Sequence, residues 1–262
     1  MAGTPDKRSM TDIAPTVSAV LGLPCPADAT GSVIQEMADD LSGSERVAIV
    51  APDALGDFAW QQWKGAMPYL QSLHAERSII LHSIMPSITP VNFACMVTGA
   101  ELDVHGVNAK TEPFRCETLF DVVHGAGGRS AGIGLDGYTG SDLLGRHADI
   151  CGNAGKGSDA DVEAKIIEIV NNAAPLFLIA QLGRVDDVFH KHGPSSAAVV
   201  PMLKETDARL ERLIGHLKPL GYGIIILSDH GQHDLVDATQ GQKKGGHGTD
   251  SPEDRRVPCT WA

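Results

Sequence analysis

Four stretches of this 262-residue chain place chemically capable side chains just beyond the end of an apolar run. Asp53 follows Val47–Ala51, and Met85-Pro86-Ser87-Ile88-Thr89 follows Ser78–Ser83. Asp186 and His190 follow Leu176–Gln181, and Ser228-Asp229-His230-Gly231 closes the run that begins at Gly223. A further imidazole, His247, sits in Gly245-Gly246-His247-Gly248, where glycines let backbone approach a ligand closely. Carboxylates and imidazoles gathered at one place suit Zn²⁺, or Mn²⁺ and Mg²⁺ where oxygen ligands dominate. A site for two ions about 3.5–4 Å apart needs six or seven such ligands, some of them adjacent residues facing different ions. Asp229-His230 offers such a pair, and Asp186 and His190, four apart, share a face if their segment is helical. Taken singly, each fragment has a plainer reading: Asp53 as a helix cap, Asp186 and His190 as a solvated pair, the glycine-rich loop as a flexible turn. Their joint placement would then require several coincidences.

The elements that must position these groups are legible in the apolar pattern. Val47–Ala51, Ser78–Ser83, Ser130–Leu135, Leu176–Gln181 and Gly223–Ser228 are short, continuous and bounded by polar or turn residues, as strands covered on both faces should be. Between them, Asp159–Asn171 repeats Val162, Ile166, Ile167 and Val170 on one helical face, and Val199–Leu217 repeats Leu203, Leu210, Leu213, Ile214 and Leu217. Strands alternating with helices predict an α/β fold: a three-layer α/β/α domain over residues 1–262 with a mostly parallel central sheet. In such sheets ligands bind beyond the carboxyl ends of the strands, which is where the candidate residues fall.

Composition narrows the partners. With 42% hydrophobic and 21% charged residues the chain can bury a large core. A formal charge of −12 excludes an extended nucleic-acid face, and a phosphate-binding site in so acidic a molecule calls for bound cations. No apolar run approaches the roughly 18–20 residues that cross a bilayer, so no membrane partner is expected. The N-terminus lacks the apolar core of a signal peptide, which predicts a cytoplasmic location; assembly into a homo-oligomer is left open. The scattered Cys25, Cys95, Cys116, Cys151 and Cys259 show no C-x-x-C spacing and read as reduced thiols.

Several motifs go further. Met85-Pro86-Ser87-Ile88-Thr89-Pro90-Val91-Asn92 is followed by Val97-Thr98-Gly99 and His105-Gly106. Asp186, His190, Gly193 and Pro194 form an Asp-x-x-x-His-x-x-Gly-Pro motif, Ser228–Gly231 reads Ser-Asp-His-Gly, and Gly245–Gly248 reads Gly-x-His-Gly. Together, over residues 47–261, they resemble the type I phosphodiesterase/nucleotide pyrophosphatase branch of the alkaline phosphatase superfamily. The resemblance implies two divalent metal ions, zinc by family default with Mn²⁺ and Mg²⁺ left open. One ion would take Asp186, His190 and His247; the other Asp53, Asp229, His230 and the Thr89 oxygen. Thr89 would be the nucleophile, forming a phospho-threonine that water then releases. Ser87 and Thr98 are rival hydroxyls, and motif spacing favours Thr89.

The implied function is hydrolysis of phosphate diesters or monoesters on a small phosphorylated substrate. Phosphonate hydrolysis is the alternative within enzymes, and a catalytically silent metal-binding interaction domain is the alternative of another class. Where relatives carry an asparagine that binds a phosphoryl oxygen, the register here falls on Lys110, with Asn108 just before it. Both are candidates for binding substrate; a lysine would suit the extra oxyanion of a monoester or phosphonate, and an exposed surface lysine is the plain alternative. A sulfatase reading fails, because Cys95 lies in Cys-Met-Val-Thr-Gly and not in Cys-x-Pro-x-Arg.

One segment stands out of family order. Thr11-Asp12-Ile13-Ala14-Pro15-Thr16, a short helix, Gly22 and Pro24-Cys25-Pro26 resemble the family's C-terminal element, yet they precede the first strand. Circular permutation is expected, with 11–41 as the moved segment and Asp39–Ser44 as the linker; an unrelated N-terminal extension is the alternative. The intervals that follow Asp186 and His230 leave no room for large insertions, so 93–160 is the stretch expected to hold a small substrate-contacting region.

Overall fold

The computed structural model describes residues 8–236, 239 and 241–262, so residues 1–7 of the expected single domain lie outside the described residues. The strands are β1 (Arg46–Pro52), β2 (Ser78–His82), β3 (Ser130–Gly134), β4 (Ile150–Asn153), β5 (Phe177–Leu182), β6 (Tyr222–Leu227), β7 (His233–Asp234), β8 (Gly245–Gly246) and β9 (Arg256–Trp261). The helices are α1 (Ile13–Leu21), α2 (Gln35–Asp40), α3 (Asp57–Trp63), α4 (Pro68–Glu76), α5 (Thr89–Thr98), α6 (Leu102–His105), α7 (Leu119–Gly125), α8 (Asp159–Ala173), α9 (Arg184–His192), α10 (Val200–Leu217) and α11 (Pro252–Arg255).

Seven strands form one sheet in the order β2-β9-β6-β1-β5-β3-β4, and β7 pairs with β8 in a separate hairpin. β1 runs parallel to β5 and β6, and β3 parallel to β5 and β4, whereas β9 is antiparallel to β6 and β2. Every strand of the large sheet except β9 therefore ends on the same edge. Along β1 the side chains alternate between two cores, as the two-residue strand period requires. Val47, Ile49 and Ala51 pack with α1, α2, α5 and α7 residues, while Ala48 and Val50 pack with α3, α4, α8 and α10 residues. The expected three-layer α/β/α architecture follows from this division.

Within the span 93–160, β3 and β4 complete the far side of the main sheet. β4 itself is absent from the strand reading: Ile150–Asn153 is short, lies at the sheet edge and alternates partly exposed with buried residues, which leaves no continuous apolar run. Among the described residues, no helix is long and apolar enough to cross a membrane.

The N-terminal segment is part of the core. Met10, Ile13, Ala14 and Val17 are fully buried in the same cluster as Val91, Phe93, Ala94 and Val97 of α5. The two are locked at Gly99, the left-handed C-cap of α5 (φ 71°), whose carbonyl accepts Thr30 N at 2.8 Å and Gly31 N at 3.2 Å. A Cβ at Gly99 would stand 2.6 Å from Ala29 Cβ and 3.2 Å from Pro15 Cδ, so glycine is needed both for the backbone and for the close approach. Gly99→Ala should destabilise the protein by about 2–4 kcal/mol, combining left-handed strain with overpacking. Urea unfolding of G99A and of G99A/A29G checks this: the second variant should recover part of the loss. Equal loss in both would mean that the contact with the N-terminal segment carries no weight.

Candidate metal centre

Three adjacent central strands, β6, β1 and β5, deliver most of the centre. Asp53 follows β1, and its N–H donates to Leu182 O at the end of β5 (3.0 Å). Asp229 and His230 follow β6, and Asp229 Oδ1 accepts Ala54 N at 3.3 Å, which ties the two strand ends together. Beyond β5, α9 places Asp186 and His190 one turn apart on one face, with His190 Nε2 3.4 Å from Asp186 Oδ2. His247 follows the β7–β8 hairpin and brings Nε2 to 3.8 Å from Asp186 Oδ1. The glycine two residues before it is sterically required, since a Cβ at Gly245 would overlap the Phe189 carbonyl and the Gln232 amide. All six predicted acidic and imidazole residues thus gather beyond the carboxyl edge of the sheet.

The ligand atoms form two overlapping sets, each lying within 4.8 Å of one another: Asp53, Asp229 and His230, and Asp186, His230 and His247. The partition differs from the expected one at His230, which joins both sets, and at His190, which reaches the centre through its contact with Asp186. The reason is that the His230 ring lies between, stacked on His247 with ring centroids 3.9 Å apart. His230 Nε2 is 3.2 Å from Asp229 Oδ2 and 3.6 Å from Asp53 Oδ1.

The three imidazoles are oriented alike. His190 Nδ1 donates to Gly245 O (2.8 Å), His230 Nδ1 to Gly231 O (3.0 Å) and His247 Nδ1 to Ser87 O (3.1 Å). A carbonyl only accepts, so each Nδ1 carries a proton, and Nε2 is the ring nitrogen turned into the centre. That orientation is the one a metal takes. Burial, then the neighbouring His230, pushes the His247 pKa down to about 4, which keeps its imidazole neutral.

The carboxylates are under opposite stress. Asp53 and Asp229 are 2% and 0% exposed. Burial first, then the charges of Asp229 and Asp186, raises the Asp53 pKa well above the usual carboxylate value. Among the described residues, Asp53 Oδ1 and Asp229 Oδ2 are buried with no hydrogen-bond partner. Unpaired buried carboxylate oxygens are costly, and a bound cation is the partner this donor set fits.

Thr89 opens α5, with its hydroxyl 3.1 Å from His230 Nε2 and at the electropositive helix end. The rival hydroxyls are committed elsewhere. Ser87 donates to Thr249 O (2.7 Å) and Thr98 bonds back to Ala94 O (2.8 Å) within the helix. Lys110 is turned to the Gly137 carbonyl and to Asp142 (3.5 Å) on the rim beside β3, and Asn108 is exposed, its backbone N–H held by Glu112.

Two supporting residues escape the motif reading. Gln181 accepts Gly140 N at 2.6 Å and donates to Asp53 Oδ2, and Gln232 donates to Asp186 Oδ1. The available signal was a polar residue closing a buried strand, and an amide two residues after His230. Position relative to the strand end carries that information; residue type alone does not.

Known proteins share part of this sequence and its fold. The type I phosphodiesterase/nucleotide pyrophosphatase family model matches residues 137–244. No curated protein matches the chain in sequence. Phosphonoacetate hydrolase from Sinorhizobium meliloti 1021, solved with phosphonoacetate, aligns at a TM-score of 0.58 and 21% identity; the match covers 75% of this chain and 58% of that one. An inactive variant of murine ectonucleotide pyrophosphatase/phosphodiesterase 5, solved with AMP, aligns at 0.65 and 15% identity over 82% of this chain and 87% of that one. The human counterpart gives 0.64 at 15% identity over the same shares. These structures share the fold. The chain is thus similar to the type I phosphodiesterase/nucleotide pyrophosphatase family over residues 137–244, spans 58% of the phosphonoacetate hydrolase it aligns with, and shares with these structures an α/β fold.

Proposed function

We propose that the chain hydrolyses phosphate diesters or monoesters of small molecules through a covalent intermediate on Thr89, at a centre for two divalent cations. The carrying observation is the pair of unpartnered buried oxygens, Asp53 Oδ1 and Asp229 Oδ2, beside the Thr89 hydroxyl and three imidazoles whose Nδ1 atoms are bonded to backbone carbonyls. Asp53, Asp229 and His230 with Thr89 Oγ1 would hold one cation; Asp186, His190 and His247 would hold the other. Zn²⁺ suits the mixed nitrogen and oxygen set. When bound, the cations make the hydroxyl nucleophilic at neutral pH and stabilise charge on the attacking and leaving oxygens.

The residues do the rest. The Thr89 hydroxyl gives up its proton to solvent and Oγ1 attacks phosphorus in line, leaving phospho-threonine and expelling the ester oxygen, which takes a proton from solvent and departs as an alcohol. Water then attacks the same phosphorus from the side opposite Thr89, breaking the Oγ1–P bond, and its released proton restores the Thr89 hydroxyl. The positive end of α5 favours the anionic phosphoryl group at its first turn. Gln181 and Gln232 hold one oxygen each of Asp53 and Asp186, so that the remaining oxygen of each faces the cations.

The segment 11–41 belongs in the same proposal. We take it to occupy the place of the family's C-terminal element, by circular permutation. Its support is the interlock with Gly99 and the single tight turn, Ser44 N to Leu41 O at 3.1 Å, that joins α2 to β1.

Two variants test the reading. Thr89→Ala should lower turnover of bis(p-nitrophenyl) phosphate by about 10³-fold or more with the bound metal unchanged. Turnover within about twofold of the parent would sink the nucleophile assignment; parallel assays with p-nitrophenyl phosphate and phosphonoacetate rank diester, monoester and phosphonate chemistry. Gln181→Ala should weaken metal affinity by about 10–100-fold in chelator competition. Unchanged affinity would mean that Asp53 needs no support from β5.

A further inference from the structure

Beside His190 a groove of about 590 Å³ opens between α9 and the segment 241–244. Asp187, His190, Lys191 and His192 line one wall; Gly241, Gln242, Lys243 and Lys244 line the other. The helix period explains the first wall: Asp187 and Lys191 form the stripe next to the one that carries Asp186 and His190. The second wall is tied to the centre through backbone. Lys244 N donates to His190 O at 2.7 Å, and Lys244 O accepts Leu235 N at 2.8 Å.

The charge of this groove opposes that of the molecule. The chain carries −12 overall, yet Lys191, Lys243 and Lys244 converge here. Asp187, the carboxylate of the groove, is engaged by Arg184 Nη1 at 2.7 Å and Tyr138 Oη at 2.6 Å. Among the described residues, no carboxylate pairs with any of the three lysines. A cationic groove that shares His190 with the reacting centre is placed to read a second negative charge on the same substrate.

We propose that the groove is a specificity subsite for an anionic group that the substrate carries beyond its reacting phosphorus, with Lys191, Lys243 and Lys244 as its receptors. This rests on the phosphoester hydrolase reading above and adds the substrate class: esters bearing a second phosphate or a carboxylate. Such a group pairs with mobile ammonium groups as point charges, so selectivity follows charge more than shape.

The experiment compares three p-nitrophenyl phosphodiesters on the metal-loaded protein, with ethyl, carboxymethyl or phosphoethyl as the second ester group. The parent should favour both anionic esters over the ethyl ester in kcat/KM, and whichever gains more identifies the preferred anion. In K191A/K243A/K244A that preference should fall by about 10-fold, mainly through KM. The charge-reversed Lys243→Glu should lower it without removing the side-chain stem, and melting temperatures guard against loss of fold. Equal kcat/KM for all three esters in the parent, or a preference that survives in the triple variant, overturns the groove assignment alone. No turnover of any ester by the parent overturns the hydrolase reading beneath it as well.

Discussion

Burying Asp53 and Asp229 against one another is the constraint on which the rest of the structure turns. Their ligand atoms lie within 4.8 Å, where two carboxylate charges repel by about 3 kcal/mol at an effective dielectric of 20. Asp186 adds a third acidic group to the same neighbourhood. His247, held neutral, cannot cancel that charge, and the Nδ1 protons of all three imidazoles are already given to backbone carbonyls. Bound cations would resolve the conflict and would attract the proposed phosphate substrate to a molecule of net charge −12.

The fold is arranged to hold this unfavourable cluster rigidly. Parallel strands that end on one edge bring Asp53, Asp229 and the start of α9 side by side without long loops. Amide side chains then fix the oxygens: Gly140 orients Gln181, which orients Asp53, while Gln232 holds Asp186. On the opposite layer, α5 presents Thr89 from a helix whose remaining residues are buried, braced by the segment that precedes β1. The site therefore depends on both helical layers as well as the sheet edge.

Much of this could be read from residue order because each group follows an apolar run. β1 spans Arg46–Pro52 where 47–51 was expected, and β9 occupies Arg256–Trp261. The metal-centre residues were readable for the same reason: a carboxylate after a buried strand has few roles, and several together have fewer. What escaped was set by packing. α5 is buried on all sides, so it lacks the amphipathic period that marks a surface helix. Gln181 and Gln232 act through hydrogen bonds that exist only once distant strands meet. Lys191 lies on α9, far in sequence from the adjacent Lys243 and Lys244, and only the segment leading into β8 brings those two against it.

The direct measurement is anomalous diffraction from crystals soaked in Zn²⁺ or Mn²⁺. Two peaks are expected, one among Asp53, Asp229, His230 and Thr89, the other among Asp186, His190 and His247. Diffraction showing no bound metal there, with Asp53 Oδ1 and Asp229 Oδ2 satisfied by water or protein donors instead, would contradict the metal centre and the chemistry drawn from it.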